Sequence, residues 1–249
     1  ISIVTYVDTR STNKKYRKED LINAQKATAF EFFSKIDEVA KNTDTIASVD
    51  QISYMVKSRT YDFVRFDYSG YIDEDSVDFR YRLSPGRGRI FQKVATLPSH
   101  LRSSALKSGI FSYSAFCNQT FMGLTWTDQI SIPFSYLSKS TWRRCDVYRP
   151  EFSYCDLSKS RFEECNLFAP IFANTILKGA VFWNSEFISA DFQGADLRNI
   201  IVHDDKYMAV FMYANLKDAK INQSDWDKIK ALNIPEFGKP TVYNTNKKQ

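Results

Sequence analysis

The chain has 249 residues, 43% of them hydrophobic, with 34 Lys and Arg against 29 Asp and Glu. That composition supports one or two packed domains and argues against global disorder. Residues 1–100 carry 16 cations against 14 anions and residues 101–249 carry 18 against 15, so the net +5 is spread over two mixed surfaces, unlike the concentrated basic face of a dedicated nucleic-acid binder.

No apolar run approaches the ~18 residues that span a bilayer, and there is no secretory signal pattern. The opening ISIVTYV reads as a strand or linker, with the stub of a membrane tether lying N-terminal to the chain as the other reading. From Glu19 to Lys41 the spacing of Ile22, Ala29, Phe33, Ile36 and Ala40 predicts a helix with one apolar face. Ser48 and Gln51 form a capping box for a second helix burying Ile52, Met55 and Val56. The pattern then turns to period two. Val64, Phe66 and Tyr68, then Val77, Phe79 and Tyr81, predict two half-buried strands. SPGRGR at 84–89 reads as a turn, with Arg87 and Arg89 on a solvated hairpin tip rather than around a phosphate. Residues 1–98 are thus expected to form a separate α+β domain.

Beyond Pro98 a period of five takes over. Every fifth residue from Ile132 to Val202 is large and apolar, an unbroken series that 43% hydrophobic content does not produce by chance. The residue two places before each is mostly small, as at Ser135, Ser140, Cys145, Cys155, Ser160, Cys165, Thr175, Ala180, Ser185, Ala190 and Ala195. The residue just before it is often acidic or Asn. The series extends upstream through Phe111, Phe116, Phe121 and Trp126 with one extra residue before Ile132. Downstream it resumes at Phe211, Leu216, Ile221 and Trp226 after an irregular stretch around HDDKY. None of Cys117, Cys145, Cys155 and Cys165 lies in a CxxC pair. They read as free, small, apolar fillers in a reducing compartment, which implies a cytoplasmic setting.

The segment Ala195-Asp196-Leu197-Arg198-Asn199 is similar to the consensus of the pentapeptide-repeat family, and the resemblance covers residues 109–226. It implies a mainly β fold, a right-handed quadrilateral β-helix with four pentapeptides per coil. Large and small inward residues would then stack every twenty positions, Phe152 under Phe172 under Phe192 and Leu157 under Leu177 under Leu197. The expected domains are the α+β region 1–98, the β-helix with its caps at 99–235 and a flexible tail at 236–249. The caps are a short helix from Ser99 to Ser108, with Ser99 as N-cap and Gly109 past its end, and a helical turn carrying Trp226, Ile229 and Leu232.

No catalytic or cofactor motif accompanies this architecture, and no cofactor or metal is expected. The candidate partner-binding residues lie on the outside. Tyr148, Phe168 and Ile188 share the first outward position and are twenty apart, which predicts an apolar stripe. Val181 and Trp183 lie around the next corner, and His203, Asp204, Asp205, Lys206 and Tyr207 form the irregular loop. The expected cover for the stripe is either the N-terminal region or another protein, including a second copy in a homodimer. The expected function is a non-enzymatic interaction or scaffold module of bacterial origin. The resemblance also implies two alternatives: a DNA-mimicking topoisomerase binder, or the targeting part of a larger effector such as a HECT-like ubiquitin ligase. The slight basic excess of residues 101–249 speaks against mimicry of DNA. Pro150 and Pro170, stacked where the family prefers Ala, Cys or Ser, have no explanation at this level.

Overall fold

The computed structural model describes residues 31–41, 45–66, 85–109, 111–112, 114, 116–125, 128, 130–203, 206–234 and 236–244. The N-terminal described part is helical: α1 (31–40), α2 (Thr45–Phe66), α3 (Pro85–Ala95) and α4 (Ser99–Ser108). Ile36 and Val39 of α1 and Ile52 and Val56 of α2 are fully or nearly fully buried, at the spacing that puts side chains on one helix face. Ile22 and Ala29 lie outside the described residues.

Three expectations for this region are corrected. Helix α2 begins at Thr45, so Ser48 lies inside it rather than capping it. Val64 and Phe66 continue the same helix instead of starting a strand. No Pro or Gly interrupts Thr45–Phe66, and adding one more helical residue is cheap once the helix exists. A few residues of alternation do not overcome that. Tyr68, Val77, Phe79 and Tyr81 lie outside the described residues. SPGRGR is not a hairpin turn: Pro85 opens α3, at the position where a missing N–H costs no helical bond. Ile90, Phe91 and Val94 then bury one face. Arg87 is buried and donates from Nη1 to the Ser112 carbonyl at 2.7 Å, while Arg89 is exposed.

The helices close the first coil of the β-rich remainder of the chain. The Phe91 ring meets Phe111, Phe116 and Phe121 edge-on, with centroids 5.1, 5.2 and 5.4 Å away. The plug on the solenoid end therefore comes from α3, with α4 packed beside it through Leu101, Ala105 and Leu106. Pro98, not Ser99, occupies the N-cap of α4, and this helix start has no side-chain cap bond. Gly109 follows the helix in an extended conformation, φ −77°. Its role is space, since a Cβ there would sit 2.2 Å from the Phe111 ring. Buried apolar residues form one cluster from Ile36 to Ile234, and the boundary expected at residue 98 falls inside it.

From Phe111 onward the chain is a parallel β-helix. Strands β1 (Thr120–Met122), β2 (Thr141–Arg143), β4 (Arg161–Glu163), β6 (Val181–Trp183) and β7 (Ile201–Val202) stack into one sheet in that order. Strand β3 (Asp146–Tyr148) pairs with β5 (Asn166–Phe168). Parallel bridges Ser131↔Glu151↔Ile171↔Asp191 and Tyr136↔Asp156↔Ile176↔Asp196 repeat the twenty-residue register on two further faces. The coil is therefore twenty residues with four pairing positions. Every described large residue of the series from Phe111 to Leu197 is buried. The Phe152, Phe172 and Phe192 rings stack at 5.2 and 5.4 Å, within 8° and 6° of parallel. Trp142 and Phe162 stack at 6.2 Å, and Phe182 tilts by 46° against Phe162.

The small inward residues carry a second, polar regularity. Cys155 Sγ, Cys165 Sγ, Thr175 Oγ1 and Ser185 Oγ each donate to a carbonyl of the coil below: Ile132 at 3.1 Å, Trp142 at 3.3 Å, Phe152 at 2.6 Å and Phe162 at 3.1 Å. The cysteines thus act as small residues with a weak donor, interchangeable with Ser and Thr. Burial pushes the Cys155 thiol up to about 12, which makes it inert at neutral pH. Ser160 is the exception, a buried hydroxyl without a hydrogen-bond partner. On the next rung the same position is Ala180. Ser160→Ala is accordingly expected to raise stability by about 1 kcal/mol, because it removes an unsatisfied group without opening a cavity. A urea midpoint that falls would count against this.

Each side turns its corner through a left-handed residue, such as Lys159 (φ 56°), Asn174 (φ 56°) and Gly194 (φ 67°). Two corner types occur. In one, the next small residue donates its N–H back across the turn, as Cys155 does to Phe152 at 3.1 Å and Ala190 to Phe187 at 3.3 Å. In the other, after Tyr148 and after Phe168, no such bond is made, and there Pro150 and Pro170 stand. Proline at these corners removes a donor that the turn does not use. One rung on, the corner changes type and proline gives way to Ala190.

Two coils are longer. Phe121 pairs with Trp142, twenty-one residues on, as the extra residue before Ile132 required. Asp191 pairs with Asn215, twenty-four residues on, because the short helix α5 (Tyr207–Phe211) is inserted. Val210 and Phe211 are both buried there. Leu216 and Ile221 resume the interior, but Trp226 belongs to α6 (Gln223–Ala231) and is not a repeat position. Ile229 of α6 is fully buried, whereas Leu232 is 46% exposed and does not help cover the coil. The expected loose tail is corrected within residues 236–244, while residues 245–249 lie outside the described residues. Strands β10 (Glu236–Phe237) and β11 (Thr241–Tyr243) pair in parallel with β8 (Ala214–Asn215) and β9 (Lys220–Asn222). They occupy backbone groups that would otherwise form an open edge. Gly238 permits the approach: its φ is +80° and a Cβ would lie 2.7 Å from the Lys217 amide nitrogen.

Candidate interaction surface

The stripe expected from the spacing is present. Tyr148 and Phe168 are 44% and 39% exposed, and their rings stack at 5.6 Å within 13° of parallel. Ile188 lies on the next rung, partly exposed. The inter-coil bonds Arg149 N–H to Phe168, Ala169 N–H to Ile188 and Ser189 N–H to Met212 put Met212 next in the column. Counting by twenty points to Met208 instead, so the α5 insertion hides this member from the sequence.

Along one border of the stripe run Asp146, Asn166 and Glu186, paired rung to rung and all exposed. Neither Asp146 nor Glu186 forms an ion pair among the described residues. Nearby charges are largely internal: Arg144 pairs with Glu164 at 2.8 Å, and Lys206 donates to Asn184 Oδ1. The other border carries Arg149, Ala169 and Ser189. Between the acidic column and the stripe lies a depression of about 230 Å³, lined by Asn166, Leu167, Phe168, Glu186 and Ile188.

The remaining candidates separate. Trp183 is 39% exposed, but Val181 is only 9% exposed, flanked in its ladder by Arg161 and Ile201. It therefore offers little contact surface. On the same face Glu163 is clamped between Arg143 and Arg161, with Nε–O distances of 2.8 Å to each. The Arg161 guanidinium, supported by Arg143, holds this carboxyl below the usual range. In the irregular loop His203 is exposed, and Asp204 and Asp205 lie outside the described residues. Tyr207 is buried rather than displayed, because its hydroxyl donates to Asp225 Oδ1 at 2.7 Å and Lys228 Nζ sits 4.8 Å over its ring. Its place is in the packing of α5 on α6. Sequence reasoning also missed a stacked aromatic pair at a corner, Phe134 and Tyr154, 4.9 Å apart and 5° from parallel. Both sit at left-handed positions twenty residues apart, which is the signal that was available. Among the described residues no group of three His, Cys, Asp or Glu side chains is placed to hold a metal ion, and no helix is long and apolar enough to cross a membrane.

A coil of four five-residue sides with small and large inward positions defines a five-residue-repeat β-solenoid. Residues 172–204 match the family model for pentapeptide repeats in eight copies, and no family model matches the N-terminal region. The solenoid thus carries pentapeptide repeats over residues 172–204. No curated protein matches the chain. Among solved structures the chain is similar to the pentapeptide repeat protein Rfr23 from the cyanobacterium Cyanothece 51142. The identity is 13%, over 53% of this chain and 88% of that one, with a TM-score of 0.24. It is also similar to HetL from the cyanobacterium Nostoc sp. strain PCC 7120, a protein involved in heterocyst differentiation regulation. There the identity is 13%, over 45% of this chain and 57% of that one, with a TM-score of 0.19. A third is full-length QnrB1, a plasmid-mediated fluoroquinolone resistance protein, at 12% identity over 53% of this chain and 92% of that one, with a TM-score of 0.24.

Proposed function

We propose that the chain is a non-enzymatic protein-interaction module of bacterial origin, working in the cytoplasm. Its right-handed quadrilateral β-helix serves as a rigid rod, and the Tyr148–Phe168–Ile188 stripe is its contact surface. The observation that carries the reading is the exposed, stacked pair Tyr148 and Phe168 on a regular solenoid face. Exposed apolar columns of this kind mark interfaces, and aromatic anchors dominate binding energy there. The rod gives such residues fixed positions without an ordering cost at binding.

The test is a photo-reactive amino acid placed at Ile188, with Asp218 on a separate exposed corner as the control position. Irradiation in the producing cell should yield a discrete protein adduct from 188 and not from 218. Replacing Tyr148 and Phe168 by Ser should abolish the adduct. The Tyr148→Ser, Phe168→Ser, Ile188→Ser variant should keep its melting temperature within a few degrees, since none of the three points inward and surface changes are worth about 0.5 kcal/mol or less each. Equal adducts from both positions would overturn the proposal.

A further inference from the structure

We infer that the occupant of this surface is an amphipathic α-helix with a basic edge, laid along the β-helix axis. This rests on reading the stripe as the contact surface and goes on to specify the chemistry of what binds. Three features lead to it.

The first is spacing. Successive stripe residues are one coil apart, about 4.8 Å. A helix presents i, i+3 and i+4 side chains at rises of about 4.5 to 6 Å, close to that repeat. An extended strand presents alternate side chains about 6.6 Å apart and slips out of step by the second rung. With Met212 extending the column, four rungs span about 14 Å, or two to three helical turns.

The second is shape. The depression of about 230 Å³ has Phe168 and Ile188 on one side, Asn166 and Glu186 on the other, and Leu167 at its base. One apolar side chain of a helix fits that space. The opposite border is low at Ala169 and Ser189, which lets a helix body settle against the stripe.

The third is charge. Asp146 and Glu186 stand two rungs apart on the same border, about 9.6 Å. Residues i and i+7 of a helix are separated by about 10.5 Å, so Lys or Arg at that spacing meets both carboxylates while the apolar face meets the stripe. The neighbouring carboxylate Glu164 is already engaged by Arg144. Arg149, near Tyr148, is the cation on the other border and favours a polar or acidic residue at that end of the helix.

The experiment uses the full chain and two labelled synthetic helical peptides of roughly 18 residues. They share a Leu face and differ only in Lys or Glu along one edge. Fluorescence anisotropy at low salt should show the Lys peptide binding tighter by on the order of tenfold, with the preference shrinking at high salt. Asp146→Lys with Glu186→Lys should reverse the preference, and the triple Ser variant should lose both peptides. If the parent binds both peptides equally and the Ser variant loses both, the basic edge is wrong while the stripe remains the contact surface. If the Ser variant binds as well as the parent, the stripe reading fails too. If the Lys peptide does not bind the parent, the helical occupant is overturned, and the adduct experiment at Ile188 decides the surface separately.

Discussion

Phe172→Asp is expected to leave the chain without its β-helix, while Asn174→Asp, two residues along, melts like the parent. Phe172 is fully buried, stacked 5.2 Å from Phe152 and 5.4 Å from Phe192, with Phe162 edge-on at 6.0 Å. Removing the ring forfeits about 3–5 kcal/mol of burial and packing, and placing a carboxylate in the gap adds several more, since among the described residues the buried cations are Arg87 and Arg102, at the far end of the β-helix. The sum matches or exceeds the whole stability of an ordinary domain, about 5–15 kcal/mol. Asn174 is exposed and left-handed at φ 56°, a conformation that Asp also tolerates. Circular dichroism during thermal melting reads the difference directly. Two equal melting temperatures would mean that the inward phase of the repeat is misassigned.

The contrast also explains why the β-helix was legible from residues alone while its two ends were not. An inward position is constrained again on every rung, so Phe152, Phe172 and Phe192 report one environment three times. Phase is lost wherever the coil changes length. The α5 insertion moves the fourth stripe position from Met208 to Met212, and no residue count reveals which inserted positions leave the ladder. The terminal strands Glu236–Phe237 and Thr241–Tyr243 are too short to carry a period. Their pairing is dictated by the open edge beneath them. In the N-terminal region VRFDY alternates, yet Val64 and Phe66 continue a helix because the residues before them had already nucleated one. The acidic border of the candidate surface was hidden for another reason. Asp146 and Glu186 occupy a repeat position where acids are common, and only their alignment beside an exposed apolar column distinguishes them.

Asp128→Ala is expected to release the helical cap while leaving the middle of the rod intact. The Asp128 side chain is fully buried and gathers four donors. Arg102 Nε of α4 lies 2.8 Å from Oδ2, Ser103 Oγ 2.7 Å from Oδ1, and the Thr125 amide and hydroxyl 2.8 and 3.3 Å from Oδ2. One carboxylate thus ties α4 to the first coil, beside Phe91 and its ring contacts. Alanine leaves the 10% exposed Arg102 side chain without its Asp128 counter-charge and removes the Asp128 carboxylate from the Thr125 amide, a loss of about 3–5 kcal/mol. In a solenoid each coil leans mainly on its neighbours, so the damage stays at that end. Hydrogen exchange should speed up across residues 99–125 and stay slow around Leu167 and Phe172. Arg102→Met combined with Asp128→Leu should recover part of the lost stability, because it removes both buried charges rather than one. Uniform loss of protection along the whole chain would show instead that the cap and the β-helix unfold as a single cooperative unit.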